Sequence, residues 1–514
     1  MNADEFREVG HAAIEQIASY FETLSERDVE SSVKPGDCAA SFAREPPAKG
    51  QPSSDLLKDF NHLVLPGISH WQHPSFFAYF PANTTFESIL ADLLVGAVSN
   101  PGFNWSCSPV CTELETLMMR WTALLFGLDL SFTNEQAPGG GIIMGSASES
   151  TVTICIAARE RALQIVDASY VRGQVSAFSS RLSIWVTDQT HSLGAKAGLI
   201  LGLPVRTLPT RAQDGYALTE STLALALADA KAKDEVPCIL IATLGSTSSG
   251  AIDDLEGILG AARACPTLYI HIDAAWAGVV LACPEHRDEA GLSAINCRSG
   301  LTVQAANKAR SFAYGEVTSF STNMHKWGLV TFDANCLWTR DRTQLTDALD
   351  ITPPFLRNQF SDSVIDYRNM QISLGRRFRS LKIYFVLKSY GVEGFQRHIR
   401  AGIALAERLE KLLVEDADFE LVTSRRWSLV VFRLKARAQE SAEETNALNA
   451  ELVERLSQDR SIMLTQTVLS GRTCIRFAIG SPQTQAEHID EAYTTIRRAA
   501  DAAVASKRIS DLVV

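Results

Sequence analysis

The sequence predicts an α/β protein built on a largely parallel sheet, with a helical arm before it and a small α+β lobe after it. Two observations carry this. Between residues 86 and 350 short apolar runs alternate with helical patterns: "LSIWVT" before "HSLGAKAGLILGL", "CILIATLG" before "DDLEGILGAARA", and "LYIHID" before a turn. That is the order of parallel strands joined by helical crossovers. Each run also ends in small or polar residues, where open α/β sheets bind their ligands.

The elements follow in order. Residues 1–85 hold two helical pieces, "EFREVGHAAIEQIASYFETL" and "SSDLLKDFNHLVLPGI", joined by a polar stretch with several prolines. Alone they bury little, so this arm is expected to pack on a second copy of the chain. Residues 86–390 form the large α/β domain. Residues 391–514 form the small lobe, with helices in "VEGFQRHIRAGIALAERLEKLL" and "AEETNALNAELVERLSQD" and strands in "WSLVVFRLK" and "TCIRFAIG". A length of 514 residues exceeds what one core supports, so more than one domain is expected.

A formal charge of −11 gives no electrostatic footprint for nucleic acid or an anionic membrane. The N-terminus has no basic stretch ahead of an apolar core, and no later run is long enough to span a bilayer. A soluble, cytoplasmic protein is expected. The ten cysteines are scattered without zinc-type spacing and read as reduced, mostly buried thiols. Cys107 and Cys111 fall where Ser108-Pro109 and Glu113 mark a helix start, which disfavours a ligand pair.

Three constellations could carry chemistry. In "GGGIIMGSASES", glycines allow close backbone approach and Ser146 with Glu149 forms a capping box opening an apolar-periodic helix. The amides of such a start, with the hydroxyls of Ser146 and Ser148, suit a phosphate, although most capped helices hold none. In "LYIHIDAAWAG", Asp273 closes a strand. It could cap the next helix, pair with a cationic ring nitrogen, or bind a metal together with His271. In "STNMHKWGLVTF", Lys326 sits between His325 and Trp327 in an apolar run. It is either a snorkelling surface lysine or a desolvated one able to form a Schiff base with a carbonyl. Taken together, phosphate site, carboxylate and lysine are what pyridoxal phosphate requires. His191 adds a ring at a strand end that could stack on it.

The segments "HPSFFAYFP", "NPGFNWSCSPVCTELE", "GSASES", "THSLGAKAG", "HIDAAWAG", "NMHKW" and "ISLGRRFRSLKIYFVLKSYGVEG" occur in this order. Nearly end to end, the chain resembles the group II pyridoxal-phosphate-dependent aromatic L-amino acid decarboxylases, fold type I enzymes of the aspartate-aminotransferase fold. The resemblance implies that Lys326 forms the Schiff base with pyridoxal 5'-phosphate and that Asp273 binds its ring nitrogen. His191 would stack on the ring with Ala275 beneath it. Ala147, Ser148, Thr247 and Asn323 would hold the phosphate end, and His325 would join the cofactor site. Trp71, Tyr79, Phe80 and Pro81 would line the substrate pocket, with Phe103 contributed by the other subunit of a homodimer. Gly375 resembles branches with room for an indole. Tryptophan, tyrosine, phenylalanine and dihydroxyphenylalanine all fit as substrates.

The chain departs from the family pattern in one place that bears on chemistry. Amine-forming members carry a loop tyrosine that supplies or relays the proton to Cα after CO2 leaves. Here the corresponding stretch is Pro353, Pro354, Phe355, Leu356. In plant relatives, phenylalanine at this position marks aromatic aldehyde synthases, in which the carbanion meets O2 as co-substrate to give aldehyde, CO2, ammonia and hydrogen peroxide. The expected reaction is therefore decarboxylation coupled to oxidative deamination. The alternatives are plain release of the amine and, on the same fold, an aminotransferase. A second departure is the stretch "RSGLTVQAANKARSFAYGEV" (298–317), which lengthens the spacing between Asp273 and Lys326. It reads as a surface loop near the mouth of the site or as an artefact of gene prediction. Met324 stands where animal members have proline.

Overall fold

The computed structural model describes all residues except 136, 137, 175, 357–359, 361, 362, 439 and 514, and the side chains of 355 and 508–513 are outside it too. Two compact units emerge. The first joins Met1–Pro81, Ala404–Val422 and Ser428–Val514, and the second joins Ala82–Ile403 and Thr423–Trp427.

In chain order the strands of the second unit are β1 (Gly140–Met144), β2 (Leu182–Thr187), β3 (Val205–Leu208), β4 (Val236–Thr243), β5 (Tyr269–Asp273), β6 (Thr302–Gln304), β7 (Ser311–Ala313), β8 (Ser319–Asn323) and β9 (Asn335–Thr339). Seven of them form one sheet in the order β1-β9-β8-β5-β4-β2-β3. All neighbours are parallel except β9, which runs against both β1 and β8. Every residue of β2, β4 and β5 is buried, which is why they read as near-continuous apolar runs. The helix Ala147–Val166 packs across this sheet through Val152, Ile154, Cys155 and Ala158. The protein has fold type I architecture with a mostly parallel central sheet.

The stretch 298–317 folds as an antiparallel hairpin of β6 and β7. It leads into the N-terminal end of β8, whereas Asp273 and Asn323 close the C-terminal ends of β5 and β8. Ala306 N–H donates to Gln164 O (2.8 Å), near the far end of a helix that starts after β1. The insertion thus lies at the edge of the sheet opposite the candidate site, not at its mouth as expected, because the crossover into β8 must begin at that strand's first residue.

In the first unit β10 (Phe419–Leu421), β11 (Leu429–Leu434), β12 (Thr465–Leu469) and β13 (Arg472–Ala478) make an antiparallel sheet ordered β10-β11-β13-β12. Helices Ala442–Gln458 and Ala486–Val513 share its core through Leu448, Leu452, Ile489 and Ile496. The helix Ala3–Glu22 is capped by Asn2 and Glu5, which exchange hydrogen bonds with each other's backbone amides. All ten cysteines are free thiols, and six of them are buried. Among the described residues no helix is long and apolar enough to cross a membrane.

Candidate active site

The loops that leave β1, β2, β4, β5 and β8 carry the candidate residues. β1 runs through Gly145 into the helix Ala147–Val166, where Ser146 Oγ accepts the Glu149 N–H at 3.1 Å. The return half of the expected capping box is displaced by one residue, since Glu149 Oε2 accepts from Gly145 N–H at 2.8 Å rather than from Ser146. Gly145 lets the chain pass close to both carboxylates: a Cβ there would lie 2.8 Å from Asp333 Oδ2 and 3.1 Å from Glu149 Oε2. Ala147 and Ser148 occupy the first turn, whose amides point out of the helix start.

Asp273 ends β5 between Thr243 of β4 and Ser321 of β8, and is 5% exposed. One of its oxygens accepts the Ala275 N–H at 3.0 Å, so it is a local cap as well as a site carboxylate. Ala275 O then accepts the Asn323 N–H at 3.0 Å, which ties the turn after β5 to the end of β8. Three residues on, Lys326 stands half-buried in a turn where its N–H donates to Asn323 O at 3.2 Å. Asn323 Oδ1 accepts from Asn335 Nδ2 at 2.5 Å, fixing that turn against β9.

His325 Nδ1 is 2.8 Å from Ala334 N and 3.0 Å from Ala334 O. An amide N–H can only donate, so Nδ1 is the acceptor and the ring proton sits on Nε2. Burial, helped by the charge of Lys326, pushes the His325 pKa down to about 4. Trp327 is fully buried and stacks on Trp276 at 5.8 Å, which locks the far side of the turn.

His191 lies in the loop after β2, just ahead of the helix Leu193–Leu201. Its pKa is lowered, first by desolvation and also by the charges of Lys326 and Lys196, while Asp273 opposes the shift. His191, Asp273 and Lys326 therefore lie within each other's fields. Thr247 is half-buried in the turn after β4, which Ser249 links to the β2 exit by donating to Gln189 Oε1 at 3.1 Å. His271 shares the face of Asp273 by strand alternation, but its Nδ1 is 2.7 Å from Ser319 Oγ and burial lowers its pKa to about 3. It is a neutral core residue. No group of three or more metal-ligating side chains occurs among the described residues.

The expected pocket residues fall in both units. In the first, Trp71 stacks on Tyr79 at 5.4 Å, Phe80 lies under the Arg476 guanidinium at 4.8 Å, and Pro81 packs against Gly480. In the second, Phe103 is half-buried after Gly102, and Gly375 is exposed with no atom within 4 Å of where a Cβ would stand. The backbone of Phe355 lies in the short turn Pro354–Leu356, but its side chain lies outside the described residues.

Three supporting groups escaped the sequence reading. Asp253 is buried and accepts N–H bonds from Leu218 and Thr243 at 2.7 Å each, holding the end of β4 beside Asp273. Arg376 bonds Glu115 Oε1 at 2.5 Å, and the same oxygen accepts from Ile143 N–H at 2.8 Å. The Arg376 amide also donates to Pro101 O at 2.7 Å, so this pair joins β1 to the loop bearing Phe103. Lys382 donates to Thr331 O (2.9 Å) and Asp333 O (3.1 Å), beside the Ala334 that orients His325. A buried charge with a partner distant in sequence leaves no local signal. Only the doubled aspartate "DD" at 253–254 offered one.

A buried carboxylate suits a pyridinium nitrogen, a lysine beyond the adjacent strand suits its aldehyde, and the helix start after β1 suits its phosphate. All three lie beyond the C-terminal ends of strands of one sheet, and the residues present fit pyridoxal phosphate.

Comparison with known proteins agrees. The pyridoxal-dependent decarboxylase conserved domain matches residues 35–435. The chain is 36% identical over 511 residues to an aromatic-L-amino-acid decarboxylase of Cavia porcellus, covering 99% of this chain and 100% of that one. It is also 36% identical over 505 residues to a phenylacetaldehyde synthase of Arabidopsis thaliana, covering 97% and 96%. Among solved structures, Oryza sativa TDC with PLP and tryptamine superposes with a TM-score of 0.90 at 34% identity, covering 98% of this chain and 99% of that one.

Proposed function

The chain belongs to the pyridoxal-dependent decarboxylase family, as a PLP-dependent carboxy-lyase of its aromatic amino acid branch, and on that premise we propose that it converts an aromatic L-amino acid to the corresponding acetaldehyde. The balance is amino acid, O2 and water in; aldehyde, CO2, ammonia and hydrogen peroxide out. Bound pyridoxal phosphate supplies an electron sink for the bond to CO2. The remaining work falls to this chain's side chains. Lys326 would hold the cofactor covalently. Asp273 keeps a proton on the ring nitrogen, and its burial at the end of β5 makes that pairing strong. Ala147, Ser148, Thr247 and Asn323 hold the phosphate end, His325 orients the lysine turn, and His191 and Ala275 flank the ring.

The observation that carries the reading is the meeting of His191, Asp273 and Lys326 in one electrostatic neighbourhood. It also bears on the product. Phe355 has no proton to give, and desolvation lowers the His191 pKa, which disfavours its protonated form. With protonation at Cα disfavoured on both sides, O2 would serve as the oxidant in the balance above. Relatives of both product types stand at 36% identity, so overall similarity does not choose between them.

The resemblance of Gly375 to branches with room for an indole supports a bicyclic as well as a monocyclic ring in the substrate. A homodimer completes the proposal: the helix Phe86–Val98 exposes Phe86, Leu90, Leu93, Leu94 and Val98, an apolar face suited to a second copy, which would also bring in Phe103. The N-terminal arm would pack on the same partner.

The test incubates the PLP-loaded enzyme in air with tryptophan, tyrosine, phenylalanine and dihydroxyphenylalanine, and measures amine, aldehyde and peroxide. Aldehyde with peroxide is expected, and Lys326→Ala should lose both products and the visible Schiff-base band. Amine in proportion to CO2 without peroxide would replace this reading with plain decarboxylation. A requirement for a keto acid without CO2 release would replace it with transamination.

A further inference from the structure

The hairpin 298–317 lies at the edge of the sheet opposite the site, yet it grips the element that leads to Phe355. Arg310, just ahead of β7, donates to Asp341 Oδ2 at 2.6 Å and to Thr343 Oγ1, and makes a further ion pair with Asp347 Oδ2. Its guanidinium lies over the buried ring of Phe312 at 4.9 Å, and Arg161 covers the same ring at 5.6 Å. Arg161 also donates to Ala313 O at 2.9 Å. The grip is therefore anchored to the helix that starts at the phosphate end.

Thr343 and Asp347 lie in the helix Thr343–Leu349, and Asp341 just precedes it, accepting the Thr343 N–H at 3.0 Å. β9 runs opposite to its neighbours, so this helix starts at the hairpin's edge of the sheet. At its other end Arg172 donates to Asp347 O (2.7 Å) and Asp350 O (2.9 Å), and Thr352 Oγ1 bonds Asp350. The chain then enters Pro353 and the turn Pro354–Leu356, closed by Leu356 N–H donating to Pro353 O at 3.0 Å.

We propose that the hairpin is a brace for the helix that delivers the Phe355 turn, and that Arg310 is a positioning residue for the reaction. It replaces local propensity with a fixed point: a helix of seven residues is too short to hold its place by itself, and small displacements at a reacting centre cost rate steeply. As far as product choice is concerned, the proposal rests on the role given to Phe355 above; the bracing itself does not.

The test compares Arg310→Met, Arg310→Lys and wild type in the PLP-loaded enzyme. Amide hydrogen exchange is followed over Thr343–Leu349, together with kcat, KM, the aldehyde-to-amine ratio and the Schiff-base band. In Arg310→Met, exchange in that helix should quicken by about tenfold. Meanwhile kcat should fall about threefold to tenfold, the product ratio should shift, and KM and the visible band should stay as in wild type. Arg310→Lys keeps the charge without the planar fork and should recover part of each loss. Arg172→Met loosens the other end of the helix and should act in the same direction if Arg310→Met folds poorly. Unchanged exchange, or quickened exchange with kcat and product ratio both unaltered, would overturn the proposal. If wild type proves to release only amine, the brace still predicts the fall in kcat and its partial recovery by lysine.

Discussion

Replacing Arg376 with methionine should destabilise the second unit by about 3 kcal/mol. Arg376 and Glu115 side chains are 3% and 5% exposed and bonded at 2.5 Å, so the substitution strands a carboxylate away from water. Breaking a buried pair from one side costs about 3–5 kcal/mol. The Ile143 N–H still reaches the same oxygen, which retains about 1 kcal/mol and places the loss near the lower end of that range. Seven of the eight tryptophans, all but Trp71, belong to this unit, so urea unfolding followed by tryptophan fluorescence reports mainly on it. The double variant Glu115→Gln/Arg376→Met removes both charges and should recover about 2 kcal/mol. A loss in Arg376→Met below about 0.5 kcal/mol, the size of an ordinary surface change, would refute the reasoning. So would a double variant no more stable than the single one.

The same geometry gives two further predictions. The rings of His271 and His325 stay neutral down to about pH 3 and 4 in the folded chain, whereas in the unfolded chain they protonate near 6.5. The unfolded state then binds more protons as pH falls below about 6.5, so stability is lost on the way down, by about 2 kcal/mol per ring at pH 5. Burial also pushes His73 and His398 down to about 4 and Asp253, in the opposite sense, up to about 7, so urea unfolding measured from pH 7 to 5 reports their sum; His271→Asn should reduce the loss at pH 5 by about 2 kcal/mol, and an unchanged pH dependence would contradict the assignment. Ser146→Ala removes the cap on the Glu149 N–H and should cost about 1 kcal/mol. It should also raise the dissociation constant for pyridoxal phosphate, read by titrating the Schiff-base band, whereas a capping residue remote from the site would leave that constant alone.

The parallel half of the sheet was legible because burial on both faces writes itself into the sequence. "LSIWVT" coincides with β2 and "LYIHID" contains all of β5. β1 was not read as a strand, since its glycines and "IIM" look like loop punctuation until β9 is laid beside them. Nothing local told that β9 runs antiparallel, because alternation carries no direction. At the site, Asp273 and Lys326 were legible as a carboxylate at a strand end and a lysine in an apolar run. The resemblance supplied their roles. The Glu115–Arg376 pair spans 261 positions, so no window along the chain could show it. The displaced partner of Glu149 was equally hidden, because the spacing of Ser146 and Glu149 does not say which amide the carboxylate reaches.

We propose that Phe355, by withholding a proton, turns a decarboxylase into an aldehyde-forming enzyme. The ratio of hydrogen peroxide to CO2, measured in air with the preferred amino acid for wild type and Phe355→Tyr, tests it most directly. A ratio near one, with aldehyde, is expected for wild type, and a fall towards zero with amine for Phe355→Tyr. A wild-type enzyme that releases CO2 and amine without peroxide, or a tyrosine variant with unchanged products, would contradict it.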